Sequence, residues 1–295
     1  MRPSGGQFEL RYGEQRANIV EVGGGLRRYT VGDREVLDGY GEDELCRSGR
    51  GQVLAPWPNR IEDGVYEYGG ARHQLPLDDV ANRCAIHGLA RWRPMHALEQ
   101  TSDRLTLGLV LYPQPGYPFS LRLIVIYRLG DDGLSVRSSA KNLGDQPCPF
   151  GLGQHPYLMP RAALVDEAVL RVPAQTVISM NERSLPQQPR RVSGAYDLRE
   201  GRVLGDTVLD TAYTDLLRDD AGLAHVRFDD ISVWVDDAYA YVQVFTGDPL
   251  PDIARRSLAV EPMTCAPNAF RSGDGLRTLE PGEEVEARWG ISLTG

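Results

Sequence analysis

The sequence predicts an all-β fold, a large antiparallel β-sandwich with few and short helices. Three observations carry this. Apolar and polar residues alternate with period two in both halves of the chain, as half-buried strands require. No segment keeps an i, i+3, i+4, i+7 apolar stripe for four turns, so long amphipathic helices are not expected. The 295 residues include 32 glycines and 20 prolines, a supply of turn formers suited to many short strands.

The clearest strands lie near the middle. Leu105, Leu107, Leu109 and Leu111 fall on one face of a segment whose other face holds Thr106, Gly108, Val110 and Tyr112. The connector PQPGYPF then reads as a turn. Beyond it Leu121, Leu123, Val125, Tyr127 and Leu129 share a face against Arg122 and Arg128. The cluster GDDG at 130–133 predicts a second turn, followed by Leu134, Val136, Ser138 and Ala140 in alternation, which makes three consecutive antiparallel strands. In the C-terminal half Ile231, Val233 and Val235 alternate, Asp236 and Asp237 turn the chain, and Tyr239 to Thr246 alternate again. Length alone would suit about two domains. No low-complexity linker, charge block or internal repeat divides the chain, so a single domain over 1–295 is expected.

With 41% hydrophobic and 25% charged residues the chain has the composition of a globular protein with a sizeable core. The balance of 32 basic against 41 acidic residues gives a net charge of -9, which disfavours nucleic acid and anionic membrane as partners and suits a small neutral molecule. Cys46, Cys84, Cys148 and Cys265 stand far apart with no C-x-x-C pair, so buried free thiols are expected and a zinc site is not. The N-terminus lacks an apolar run of signal-peptide length, and no stretch approaches the roughly 20 apolar residues of a membrane span. The expected setting is reducing and cytoplasmic.

Among the five histidines, His155 sits in FGLGQHPYL, bracketed by two glycines and a proline. Such loops carry site residues, and a hydrogen-bonded turn histidine would look the same. Glu261 emerges from the apolar run of SLAVEPMTCAPNAF, where burial would raise its pKa unless donors or a cation hold the charge. Gln243 shares the alternating face of Tyr239, Tyr241 and Phe245, a planar amide among aromatic rings that suits the C–H faces and hydroxyls of a sugar. Asn59 and Arg60 follow Trp57 and Pro58 in a rigid proline-flanked loop. No P-loop, dinucleotide fingerprint or G-x-S-x-G elbow competes.

Taken in order, GRGQVLAPWPNRIEDGVY, CAIHGLARW, GLGQHPYL, LDTAYTDL, YVQVFTGD and AVEPMTCAPNAF make the sequence resemble the aldose 1-epimerase (galactose mutarotase) family, in its compact bacterial form. The resemblance spans about residues 49 to 290. It implies a galactose mutarotase-like β-supersandwich and an isomerase that interconverts the α and β anomers of free aldoses without metal or cofactor. It also implies His155 as the acid at the ring oxygen and Glu261 as the base at the anomeric hydroxyl. Arg60, His87, Asp210 and Gln243 match the positions that bind sugar hydroxyls, and Asn59 neighbours them. One departure is Cys84, which stands near where family members often have an asparagine. An ionised Glu261 and a protonated His155 would coexist near neutral pH if each raised the other's charged population.

Two other readings remain at this stage. Arg83, Arg91 and Arg93 flank His87 and would suit a hexose-phosphate 1-epimerase on the same fold. A non-catalytic carbohydrate-binding module would keep the sandwich and lose the chemistry.

Overall fold

A computed structural model describes residues 2–294, and its regular secondary structure is almost entirely antiparallel strand. Among the described residues helix is confined to one four-residue α-helix, Ala269–Ser272, and two single 3-10 turns. A nine-stranded sheet contains the predicted trio. Arg104–Leu111, Leu121–Gly130 and Gly133–Asn142 lie side by side, with Gly130 opposite Gly133 across the two-residue Asp131-Asp132 connection. Next comes the C-terminal strand Glu284–Leu293, then Ile231–Val235 and Ala224–Phe228. The inward positions are those the alternation assigned: Leu121, Leu123, Val125, Tyr127 and Leu129 are all buried. Leu109 is only partly covered, because the strand reaches the rim of the sheet there.

An eight-stranded sheet carries Ala174–Ser179, Asp210–Leu216, Tyr241–Phe245, Leu258–Met263, Gly153–Gln154 and Val53–Leu54 in that order, with Arg190–Arg191 on one edge and Tyr157–Leu158 also paired to Leu258–Met263. The strand predicted from Tyr239 begins only at Tyr241. Tyr239 is instead buried in the turn after Asp236, whose side chain accepts the Ala238 N–H. A four-stranded N-terminal sheet, Gln7–Tyr12 to Arg34–Glu35, escaped the alternation reading because its short strands mix Glu9, Arg11, Arg16 and Asn18 with the buried Leu10, Ala17 and Ile19.

One apolar cluster runs from Leu10 to Ile291 and fills the space between the sheets. A short polar bridge crosses it. The Trp289 indole N–H donates to Gln154 Oε1 (2.9 Å), the Gln154 amide donates to the Tyr127 hydroxyl (2.6 Å), and that hydroxyl donates to the Gly24 carbonyl (2.6 Å). Every member is buried and paired, the condition under which such a bridge fixes a unique packing. Its central residue, Gln154, immediately precedes His155. All four cysteines are buried and unpaired.

Candidate active site

One cavity of about 500 Å³ gathers all seven residues singled out from the sequence: Asn59, Arg60, His87, His155, Asp210, Gln243 and Glu261. Three come from adjacent strands of the eight-stranded sheet. Gln243 stands directly opposite Glu261, and Ala212 opposite Gln243, so Asp210, Gln243 and Glu261 project from one face. The Gln243 amide donates to Asp210 Oδ1 at 2.5 Å. His155 follows the two-residue strand Gly153–Gln154, and its chain is tied on both sides: its N–H donates to the Gln52 carbonyl and its carbonyl accepts from the Gly51 N–H. Gly49, at φ +70°, lies so close that a Cβ there would stand 2.9 Å from His155 Cδ2.

Asn59 and His87 close the other wall. Each donates or accepts through the backbone: the Asn59 N–H donates to His87 Nδ1 (3.2 Å), and the His87 N–H donates to the Asn59 carbonyl (2.9 Å). That contact assigns the neutral His87 ring its proton on Nε2. The Asn59 side-chain oxygen is spent on the Arg60 N–H (2.8 Å), so Asn59 shapes the wall more than it offers a free acceptor. Arg60 opens the strand Arg60–Glu62 and is held by Asp79 Oδ2 at 2.7 Å.

His155 Nε2 meets Glu261 Oε1 at 3.3 Å, and both side chains are almost wholly buried. Burial pushes the Glu261 carboxyl well above the ordinary range, Asp210 adding to the effect and Arg60 opposing it. Burial likewise pushes the His155 imidazole down to about 3, with the field of Arg50, Arg91 and Arg60 adding. This corrects the expectation of an ionised glutamate beside a protonated histidine. Desolvation is the largest cause of both shifts, and both favour the uncharged form of the group. The 3.3 Å contact is short enough for a proton to pass between the two groups. His87 is also held well below its usual value by burial, with the neighbouring His155 and then Arg91 and Arg60 adding.

Four buried polar atoms of this pocket have no partner in the protein: Arg91 Nε, His155 Nδ1, Gln243 Oε1 and Glu261 Oε2. Unpaired buried groups of this kind mark a place where a ligand supplies the missing bonds. The donor atoms of His87, His155 and Glu261 also lie within 4.8 Å of one another, a spacing a cation could use. Arg50, Arg60 and Arg91 put positive charge around that point, and the direct His155–Glu261 contact engages two of the three donors.

Phe245 lines the cavity, as its place on the Gln243 face predicts, and the structure adds lining residues that no sequence pattern marked: Asp78, Asp79, Asn82, Ser184 and Trp92. The aromatic surface of the pocket is Phe245, Trp92 and Tyr157, whereas Tyr239 belongs to the core and Tyr241 packs with Ile178, Ala212 and Met263. Trp57 is core as well, edge-on to Phe270 at 5.5 Å. Cys84 is buried, its thiol directed to the Asn82 carbonyl, while Asn82 itself reaches the pocket and donates to Asp79. Of the three arginines around His87 only Arg91 lines the cavity; Arg83 and Arg93 are exposed. No described helix is long and apolar enough to cross a membrane.

The sequence model of a family described as aldose 1-epimerase matches residues 7–292. An uncharacterized Escherichia coli K12 protein, YihR, is 36% identical over 288 residues, covering 96% of this chain and 92% of that protein. Among solved structures, a GalM/aldose epimerase homologue from C. elegans superposes with a TM-score of 0.86 at 18% identity, covering 98% of this chain and 99% of that one. A galactose 1-epimerase from Lactobacillus acidophilus NCFM gives a TM-score of 0.80 at 18% identity over 98% and 95% of the two chains. These two likenesses are of fold.

Proposed function

The chain belongs to the aldose 1-epimerase family, and from that premise we propose that it is a mutarotase, a single-domain isomerase of free aldoses such as glucose or galactose. The observation that carries the reading is the buried His155–Glu261 contact in a cavity lined by carboxyl, amide and guanidinium groups. Mutarotation requires removal of the proton on O1 and delivery of a proton to O5. Glu261, once its own proton has passed to His155, takes the O1 proton. His155 gives its proton to O5 as the C1–O5 bond breaks and the C1 carbonyl forms. The aldehyde turns about C1–C2, presents its other face, and closes with both transfers reversed. Electrons and protons balance with these two groups alone, each contributing typically about 10²–10⁴-fold.

The other residues serve binding. Gln243 and Asp210 present an amide and a carboxyl on the same face as Glu261, Arg60 is held in place by Asp79, and the His87 Nε2–H offers a donor. Phe245 and Trp92 supply apolar contact for the sugar's C–H faces. Four unpaired buried thiols support a reducing, cytoplasmic setting.

His155→Ala and Glu261→Gln are each expected to slow anomer equilibration by at least about 10²-fold while the thermal melt stays cooperative. Polarimetry on freshly dissolved glucose and galactose reads this directly. Equilibration by either variant at the wild-type rate overturns the reading.

A second reading has one observation in its favour. Arg91 is 13% exposed, its Nε has no acceptor, and its carboxylate partner Asp78 is 3.6 Å away. A sugar bearing an anion, as in a hexose-phosphate 1-epimerase, would complete its pairing. Comparing glucose with glucose 6-phosphate in wild type and Arg91→Gln separates the two: the anionic reading expects the phosphate ester to be preferred and the preference lost in the variant. The direct acid–base contact weighs against a purely carbohydrate-binding module.

A further inference from the structure

Beside the proton-transfer pair lies an arrangement that the proposed chemistry does not itself use. The Tyr157 ring stacks on the His155 imidazole, with centroids 4.9 Å apart and planes within 5°. The Arg50 guanidinium lies 4.6 Å from the Tyr157 centroid, and its buried Nε finds no oxygen acceptor. Arg50 is itself anchored, since its Nη2 donates to Asp38 at 3.1 Å. Asp38 is further held by Arg256 and Ser257, and its N–H donates to the Tyr157 carbonyl. The Tyr157 hydroxyl donates to the Ser48 carbonyl at 3.2 Å. Ser48, Gly49 and Gly51 all have positive φ (55°, 70° and 68°), so the backbone is bent on both sides of Arg50 to deliver it to this place.

We propose that Tyr157, clamped by Arg50, is a positioning platform for the His155 imidazole, fixing the plane and depth at which that ring meets the sugar oxygens. Parallel contact with Tyr157 removes the freedom of the imidazole to rotate about χ2, while Gly49 leaves its Cδ2 edge only van der Waals room. An acid held within a fraction of an ångström of its target retains the rate that looser placement forfeits. Arg50 has a second effect through its charge. The groups facing His155 are Glu261, His87, Arg60 and Arg91 around the pocket, with Arg50 behind Tyr157. Among the arginines Arg50 contributes most to holding the imidazole down, so removing its charge raises the pH at which the pair accepts a second proton.

This inference rests on the reading of His155 as the acid, and the test separates the two. Tyr157→Phe, Tyr157→Leu, Arg50→Lys and Arg50→Gln are compared by NMR of the sugar-free protein and by anomer-exchange kinetics from about pH 3 to 8, a range that brackets the imidazole's titration. Tyr157→Phe keeps the ring and should stay near wild type. Tyr157→Leu should abolish the ring-current displacement of the His155 ring protons and lower kcat by about tenfold or more, with KM changed little. Arg50→Gln should move the acidic limb of the kcat profile to higher pH and Arg50→Lys should leave it. The platform is overturned if Tyr157→Leu exchanges anomers at the wild-type kcat, or if 13C relaxation finds the His155 ring as rigid in Tyr157→Leu as in the wild type. Absence of anomer exchange in the wild type overturns the functional reading instead, and the mobility of the His155 ring in Tyr157→Leu still decides whether Tyr157 holds the imidazole.

Discussion

Gln243 and Glu261 stand directly across from each other on neighbouring antiparallel strands, and both are buried with one side-chain oxygen unpaired. The ladder therefore fixes their separation, and Gln243 passes the order on to Asp210 through its amide. A rigid sheet, rather than a loop, holds Glu261 and the two groups beside it.

That ladder predicts a division of labour. Gln243→Leu keeps the packing volume but leaves Asp210 without its amide donor and the sugar without one partner. KM for the aldose should rise by about tenfold, the equivalent of one lost hydrogen bond of about 1.4 kcal/mol, while kcat changes less. A kcat collapse with unchanged KM would place Gln243 in the chemistry itself.

The proton shared by Glu261 and His155 has a stability signature. An unfolded glutamate ionises near 4.5, whereas the folded Glu261 keeps its proton well above that. Over that window the native state binds more protons than the unfolded state, so wild-type stability contributed here is full below 4.5 and falls as pH rises, by up to about 1.4 kcal/mol per pH unit. Glu261→Gln lacks this dependence. Its Tm should climb relative to wild type between pH 5 and 8; a constant gap would mean that Glu261 is already ionised in the native protein.

His155 works in the opposite pH direction. Its folded value of about 3 lies below the unfolded 6.5, so its contribution is present above 6.5 and is lost as pH falls towards 3. His155→Asn should gain on wild type in melts taken from pH 6.5 down to 4.5, and a variant that does not gain would show that the buried imidazole accepts a proton readily.

Gly49 admits no side chain for two separable reasons. Its φ of +70° strains any L-residue, and its Cβ would press on His155. Gly69, at φ +58° with open space around it, shares only the first. Both Gly→Ala variants should lose about 1 kcal/mol or more of stability, and only Gly49→Ala should also lose mutarotation. Equal activity in the two variants would free the His155 ring from any role for this contact.

The bridge through Gln154 makes a purely structural prediction. Gln154→Leu leaves the Trp289 N–H buried without its acceptor and should cost about 1–3 kcal/mol in denaturant unfolding. Loss of less than a few tenths would mean that water or a rearrangement replaces the amide.

Much of the nine-stranded sheet was legible because alternation records burial one residue at a time: Leu121 to Leu129 name their own inward face. The N-terminal sheet was not, since strands six residues long with charges on both faces give too few repeats of the period. Likewise the six ordered segments were enough to nominate His155, Glu261 and the residues around them. Asp78, Asp79 and Ser184 carried no such mark, because what brings them to the pocket is the meeting of segments distant in sequence. By itself the sequence determined the all-β class, the family and the chemical types available for acid, base and hydroxyl recognition. Only the tertiary structure decided which of the arginines enters the pocket, which aromatic rings line it, and that burial favours the uncharged form of both His155 and Glu261. Those outcomes depend on desolvation and on angstrom-scale distances between residues about a hundred positions apart, and no local pattern encodes either.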